Sequence, residues 1–166
     1  MKYLSAPLLA ALLAFAPMAT WAQDLIDKGF VAGWNVMVDP QMGNGCLIQN
    51  IYEDLSVVRI GYDAEHNRGY FVVFNKAWGQ IDKGKTYDMT FDLDGQTFDA
   101  KATGFYLGKV PGAGVFFDDR SFVEAIAKHK VMTVFGQAGA KVMAIDLTGS
   151  GKAIEYARKC QAASGS

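Results

Sequence analysis

From residue 30 onward, apolar and polar positions alternate with a period near two along most of the chain, and helical spacing appears at only two late places. Phe30 to Val38 (FVAGWNVMV) predicts a first strand anchored by Trp34 and ended by Asp39-Pro40. Cys46 to Ile51 predicts a short second strand. In Leu55 to Tyr62, Val58, Ile60 and Tyr62 share one face while Val57 and Arg59 take the other. Tyr70 to Phe74 is apolar throughout, as expected of a strand buried on both sides. The polar loop Asp63 to Gly69 joins these two.

The strongest hairpin signal spans Tyr87 to Thr103. Tyr87, Met89, Phe91 and Leu93 alternate with acidic and hydroxyl residues, and Asp94-Gly95 supplies the turn. Phe98, Ala100 and Ala102 continue the inner face. Phe105 to Leu107 and Val115 to Phe117 predict further short strands, separated by a glycine-rich loop. Asp118 or Asp119 can cap a helix over Arg120 to Lys128, with Ser121 and Glu124 at capping-box spacing. Val131 to Phe135 and Lys141 to Leu147 predict a closing hairpin around Gln137-Ala138-Gly139. A second helix runs from Ser150, its expected N-cap, to about Cys160, leaving a frayed tail.

Closely spaced strands with tight turns define a mainly β (α+β) protein: an antiparallel β-sandwich or partly closed barrel with two short helices in its C-terminal half. A parallel α/β fold is disfavoured, because no helix separates the early strands.

The N-terminus follows a different rule. Met1-Lys2 gives a positive start, Leu4 to Phe15 is almost wholly apolar, and Thr20-Trp21-Ala22 presents small side chains where a signal peptidase needs them. The apolar run is about a dozen residues, short of the roughly 20 that cross a bilayer. Residues 1–22 therefore predict a cleavable signal peptide, and 23–166 a single domain in the periplasm or outside the cell.

Charge narrows the partners. Removing 1–22 takes away Lys2 alone and leaves 15 basic against 17 acidic residues. Such a balance gives no basic face for nucleic acid or an anionic membrane. No stable membrane insertion is expected after cleavage. Cys46 and Cys160, paired in an oxidising compartment, predict a disulfide closing more than a hundred residues. The chain-entropy estimate for such a staple is about 4–5 kcal/mol.

The candidate chemistry is sparse. Thr148-Gly149-Ser150-Gly151-Lys152 has Asp146 and Ala153 where a phosphate loop needs glycine and a hydroxyl residue, so it reads as a strand-to-helix turn. Asp92, Asp94 and Asp99 gather at one turn without a loop that wraps a calcium ion, and read as a solvated edge. His66 lies among Asp63, Glu65 and Arg68 and is the candidate base or ligand of a metal-dependent or histidine-based hydrolase. His129 sits at a helix end, where a cation suits the dipole. No nucleophile elbow surrounds Ser56 or Ser121. No catalytic residue, metal site or cofactor is therefore assigned. The one candidate recognition element is the loop Gly104 to Gly114, with Phe105, Tyr106, Lys109 and Pro111.

The ordered set Gly33-Trp34, Cys46, Trp78 with Gly84 and Tyr87, Asp94-Gly95, then Leu147-Thr148-Gly149-Ser150 leading to Ala153 and Cys160, resembles a group of small exported proteins of alphaproteobacteria. The resemblance implies a periplasmic, disulfide-bonded domain and carries over no functional residue. The expected function is a non-enzymatic binding or accessory domain, such as an inhibitor, that recognises an envelope or secreted protein. A hydrolase built on His66 and a small-ligand carrier are the alternatives.

Overall fold

A computed structural model describes residues 24–79, 81–119, 121–136 and 139–164. The expected signal peptide lies outside the described residues, as do Arg120, Gln137 and Ala138. The described chain forms β1 (Ile26–Val31), β2 (Trp34–Asp39), β3 (Gly45–Ile51), β4 (Val57–Asp63), β5 (Arg68–Phe74), β6 (Thr86–Leu93), β7 (Gln96–Leu107), β8 (Val110–Phe117), α1 (Ser121–Lys128), β9 (Val131–Phe135), β10 (Lys141–Asp146) and α2 (Ser150–Ala163). Ten strands make one antiparallel sheet in the order β1-β2-β3-β4-β5-β8-β7-β6-β9-β10. The predicted class is the observed one: a mostly antiparallel, unclosed sheet with two helices in the C-terminal half.

The sheet curls so that its far ends meet. Trp34 Nε1 donates to Thr148 O at 3.1 Å, and the Tyr52 hydroxyl donates to Asp146 O at 2.6 Å. Within the curl, Trp34, Ile48, Ile60, Phe71, Phe91, Met132, Ile145 and the buried faces of both helices form one apolar cluster. Phe122 of α1 is its hub, with ring centroids 5.2–6.3 Å from Phe71, Phe91, Phe98 and Phe117.

Three local expectations are corrected. The strand expected over Phe30–Val38 is a hairpin, β1 and β2, because Ala32 (φ 50°) and Gly33 (φ 95°) both take the positive φ that a two-residue turn requires. The glycine-rich loop expected between Leu107 and Val115 is strand: β7 turns at Gly108-Lys109 directly into β8. Its glycines serve close packing. A Cβ on Gly112 would fall 2.3 Å from the Phe74 ring, and one on Gly114 2.5 Å from Val72 Cγ2. Finally, the N-cap of α2 is Gly149 (φ 82°), not Ser150. A Cβ there would meet Ala32 O at 1.9 Å, so only glycine fits. Ser150 is buried and donates its hydroxyl to Ile126 O, tying α2 to α1. The helix then continues through the expected frayed residues to Ala163.

Candidate functional site

At one end of the curl, a cleft of about 510 Å³ opens between α2, the start of α1 and the strands β3, β4, β5 and β8. Its floor follows from register. Ile48 pairs with Ile60, Tyr62 with Gly69, and Gly69 with Phe117, so these side chains share the inner face. Gly69 has no side chain because the Phe117 ring lies across it, 2.1 Å from where a Cβ would stand. Val123 of α1 and Ile154 and Ala157 of α2 complete the apolar lining.

The wall formed by α2 is fixed covalently. Cys46 and Cys160 form the expected disulfide, with Cα atoms 6.2 Å apart. The Cys46 amide also donates to Gln161 Oε1 at 2.7 Å, so the last turns of the helix are held at β3 by two independent links.

The rim is polar. The Tyr62 hydroxyl donates to Asn67 Oδ1 across the β4–β5 turn. Asp119 caps α1 by accepting from the Ser121 amide (2.8 Å) and hydroxyl (2.7 Å), which hold its carboxyl below the usual carboxylate range. Arg68 lines the cleft with part of its chain, but its guanidinium is engaged on the opposite face of the sheet. There Nε donates to Asp63 Oδ2 at 3.0 Å, and the group lies 3.9 Å from the centre of the Phe116 ring. Arg158, by contrast, is exposed, lines the cleft, and has no acidic partner among the described residues. Asp118 on the facing rim is likewise without a described partner.

The residues singled out from sequence lie elsewhere. Phe105 packs edge-on against Phe116 at 5.8 Å, while Tyr106, its neighbour on the other face of β7, donates its hydroxyl to Ile81 O. Pro111 is buried and its carbonyl accepts from the Asn75 amide; Lys109 sits exposed in the β7–β8 turn. The four do not line the cleft. His66 Nδ1 lies 2.9 Å from Asp63 Oδ2, but the ring is 57% exposed and outside the cleft. Asp92 accepts from the Gly95 amide, and Asp99 accepts from Thr90 Oγ1, so two of the three carboxylates at this turn are engaged locally. Among the described residues no group of three His, Cys, Asp or Glu is placed to hold a metal ion. His129 Nδ1 rests 2.8 Å from Ala125 O, at the helix end as expected.

Neither Arg158 nor Asp118 was assigned to a binding site from sequence, Asp118 being named only as a possible cap of α1. The available signal was positional: Arg158 stands two residues before Cys160, and Asp118 closes the strand ahead of α1.

An open, disulfide-bonded antiparallel sheet curled around two helices is the class of protein that these features define. No family model matches the chain, and no curated protein matches it. Among solved structures it is similar to invasion associated protein B from Bartonella henselae, with a TM-score of 0.58 at 11% identity, over 81% of this chain and 97% of that one. At that identity the likeness is one of fold.

Proposed function

We propose that this is an exported, non-enzymatic binding domain that takes a segment of an envelope or secreted protein into the cleft between α2 and the sheet. The observation that carries the reading is the cleft itself: an apolar floor set by strand register, a wall pinned by a disulfide, and opposite charges on the two rims. A few converging polar groups around an apolar floor are the usual make-up of a recognition site. The disulfide supports an oxidising compartment, and among the described residues no helix is long and apolar enough to cross a membrane. The periplasmic placement rests further on the leader pattern of residues 1–22 and the resemblance to small exported alphaproteobacterial proteins.

No observation favours the alternatives. His66 is exposed, rests on the buried Asp63 and does not line the cleft. The curl that a ligand carrier would need open is filled by Phe71, Phe91 and Phe122.

Val123 offers the test. Val123→Trp fills the cleft from a half-buried position. Immobilised wild-type protein should capture a partner from envelope extract at micromolar concentration, and Val123→Trp should lose it. Lys101→Glu, on the distant β7 surface, should keep it. Equal capture by wild type and Val123→Trp would defeat the reading.

A further inference from the structure

Resting on that reading, we infer that the cleft receives the C-terminal end of its partner, with the terminal apolar side chain on the floor and the free carboxylate on Arg158. Three observations lead there. The first is electrostatic. Of the two arginines at the cleft, Arg68 is neutralised by Asp63 and stacked on Phe116, whereas Arg158 has no acidic partner among the described residues. A guanidinium with its donors uncommitted is built for a carboxylate, which it can grip through two hydrogen bonds.

The second is rigidity. Arg158 stands one position after Ala157, which is buried against the sheet, and two before Cys160, which is bonded to β3. Its backbone is therefore fixed relative to β3 and, through the strand ladder, to the half-buried Phe117, so charge and reachable apolar surface keep one spacing. Preorganisation of this kind converts contacts into affinity.

The third is the opposite rim. Asp118 is also without a described partner. Asp119 beside it is occupied in capping α1. A ligand lying across the floor thus meets a cation at one end and a carboxylate at the other. An acyl carboxylate such as a fatty acid would satisfy Arg158 but leave Asp118 facing a hydrocarbon tail. A polypeptide end carries both halves, with a terminal carboxylate on one side and backbone N–H groups or a basic side chain on the other. A volume of about 510 Å³ also suits a body the size of a few residues better than a long through-going strand.

Fluorescence polarisation of N-terminally labelled hexapeptides tests this. The set ends in leucine, isoleucine, valine, phenylalanine, methionine or tryptophan, carries a lysine two positions before the end, and is made as free acids and as amides. At least one free acid should bind the wild-type domain, and its amide should bind about tenfold more weakly or worse, the usual loss when a charge-assisted bond is removed. Arg158→Ala should weaken the free acid by a similar factor and leave the amide unchanged, since the two changes delete one interaction. Asp118→Asn should weaken the lysine-bearing free acid while preserving the preference for acid over amide. Both substitutions replace exposed side chains, and circular dichroism should show the wild-type fold.

Acid and amide binding alike, or no free acid binding below about 1 mM, overturns the inference. So does decanoate binding in the cleft where the free acids do not. If any of these occurs while Val123→Trp still abolishes capture of an envelope protein, the cleft remains a protein-binding site and only the chain-end reading falls.

Discussion

The two faces of the sheet are both removed from water, but by different means. On the inner face, α1 and α2 supply a second layer: Phe122 sits among four other aromatic rings, and Ile126, Ala153 and Ile154 close against the strands. The outer face carries its own cluster of Leu47, Tyr70, Val72 and Phe74, all buried, with both helices on the far side of the sheet. Among the described residues this cluster is covered by side chains alone. Met37, Met42, Phe105 and Phe116 flank it, Arg68 lies over the Phe116 ring, and Arg59 stands 5.7 Å from the centre of the Phe74 ring with its Nε donating to Gln49. Long cationic side chains can shield apolar surface while their heads stay polar. Glycines help, because the Tyr70 ring lies across Gly61, where a Cβ would come within 2.6 Å of its hydroxyl. A packed helix layer excludes water by shape. A lid of arginines does so through charge, and so admits polar groups that the inner face does not.

The sharpest way to break this contrast is to remove the hub of the helix layer. Phe122→Ala should cost about 3–5 kcal/mol, the range for deleting a buried ring from a core that cannot collapse into the space. Urea unfolding monitored by tryptophan fluorescence measures it. A loss below about 1 kcal/mol would mean that the helices rest on the sheet without sealing it.

The outer face should respond with the opposite sign. Tyr70 is 1% exposed, and its hydroxyl has no hydrogen-bond partner among the described residues. Burial, with Asp39 and Asp63 nearby, drives its ionisation well above the ordinary range, so it stays a neutral donor without an acceptor. Tyr70→Phe removes that donor and keeps the ring across Gly61. It should raise stability by about 1 kcal/mol. A loss of similar size would show that the hydroxyl is satisfied and that the outer lid is as well matched as the inner core.

The same contrast decides how far the sequence was legible. Period-two patterning located the inner face correctly, since Val58, Ile60, Phe91 and Leu93 obey simple alternation and lie in the inner cluster. The even pair of cysteines behind an export leader gave the Cys46–Cys160 bond. What escaped was wherever a side chain acts on a neighbour brought near by folding. Gly112 and Gly114 look like a flexible loop until Phe74 and Val72 lie against them. Ala32-Gly33 hides a turn inside an apolar run, because its positive φ angles leave no hydrophobic signature. The cleft was least legible of all. Its floor comes from β3, β4, β5, β8 and both helices, and Arg158 differs from other surface cations only in what surrounds it. His66 drew notice for its neighbours in sequence, and those neighbours proved to be a structural ion cluster.

That cluster gives the outer face a pH signature that the inner face lacks. Asp63 is 2% exposed, and burial alone would push its carboxyl up. Hydrogen bonds from Arg68 Nε and from the ring and amide of His66, with the charge of His66, outweigh burial and hold it below its ordinary 3.8. A carboxyl whose folded-state value is depressed contributes stability above the unfolded value, and that contribution is lost as pH falls through the folded one. The window therefore opens near pH 3.8 and extends downward. Asp63→Asn keeps the shape of the group without its charge. The stability difference between wild type and this variant should shrink steadily as pH falls below about 4. Urea midpoints at a series of pH values read it directly. A difference that stays flat into acid would mean that Arg68 is held in place by its stack on Phe116 rather than by Asp63, and the outer lid would then be an aromatic device with the carboxylate as bystander.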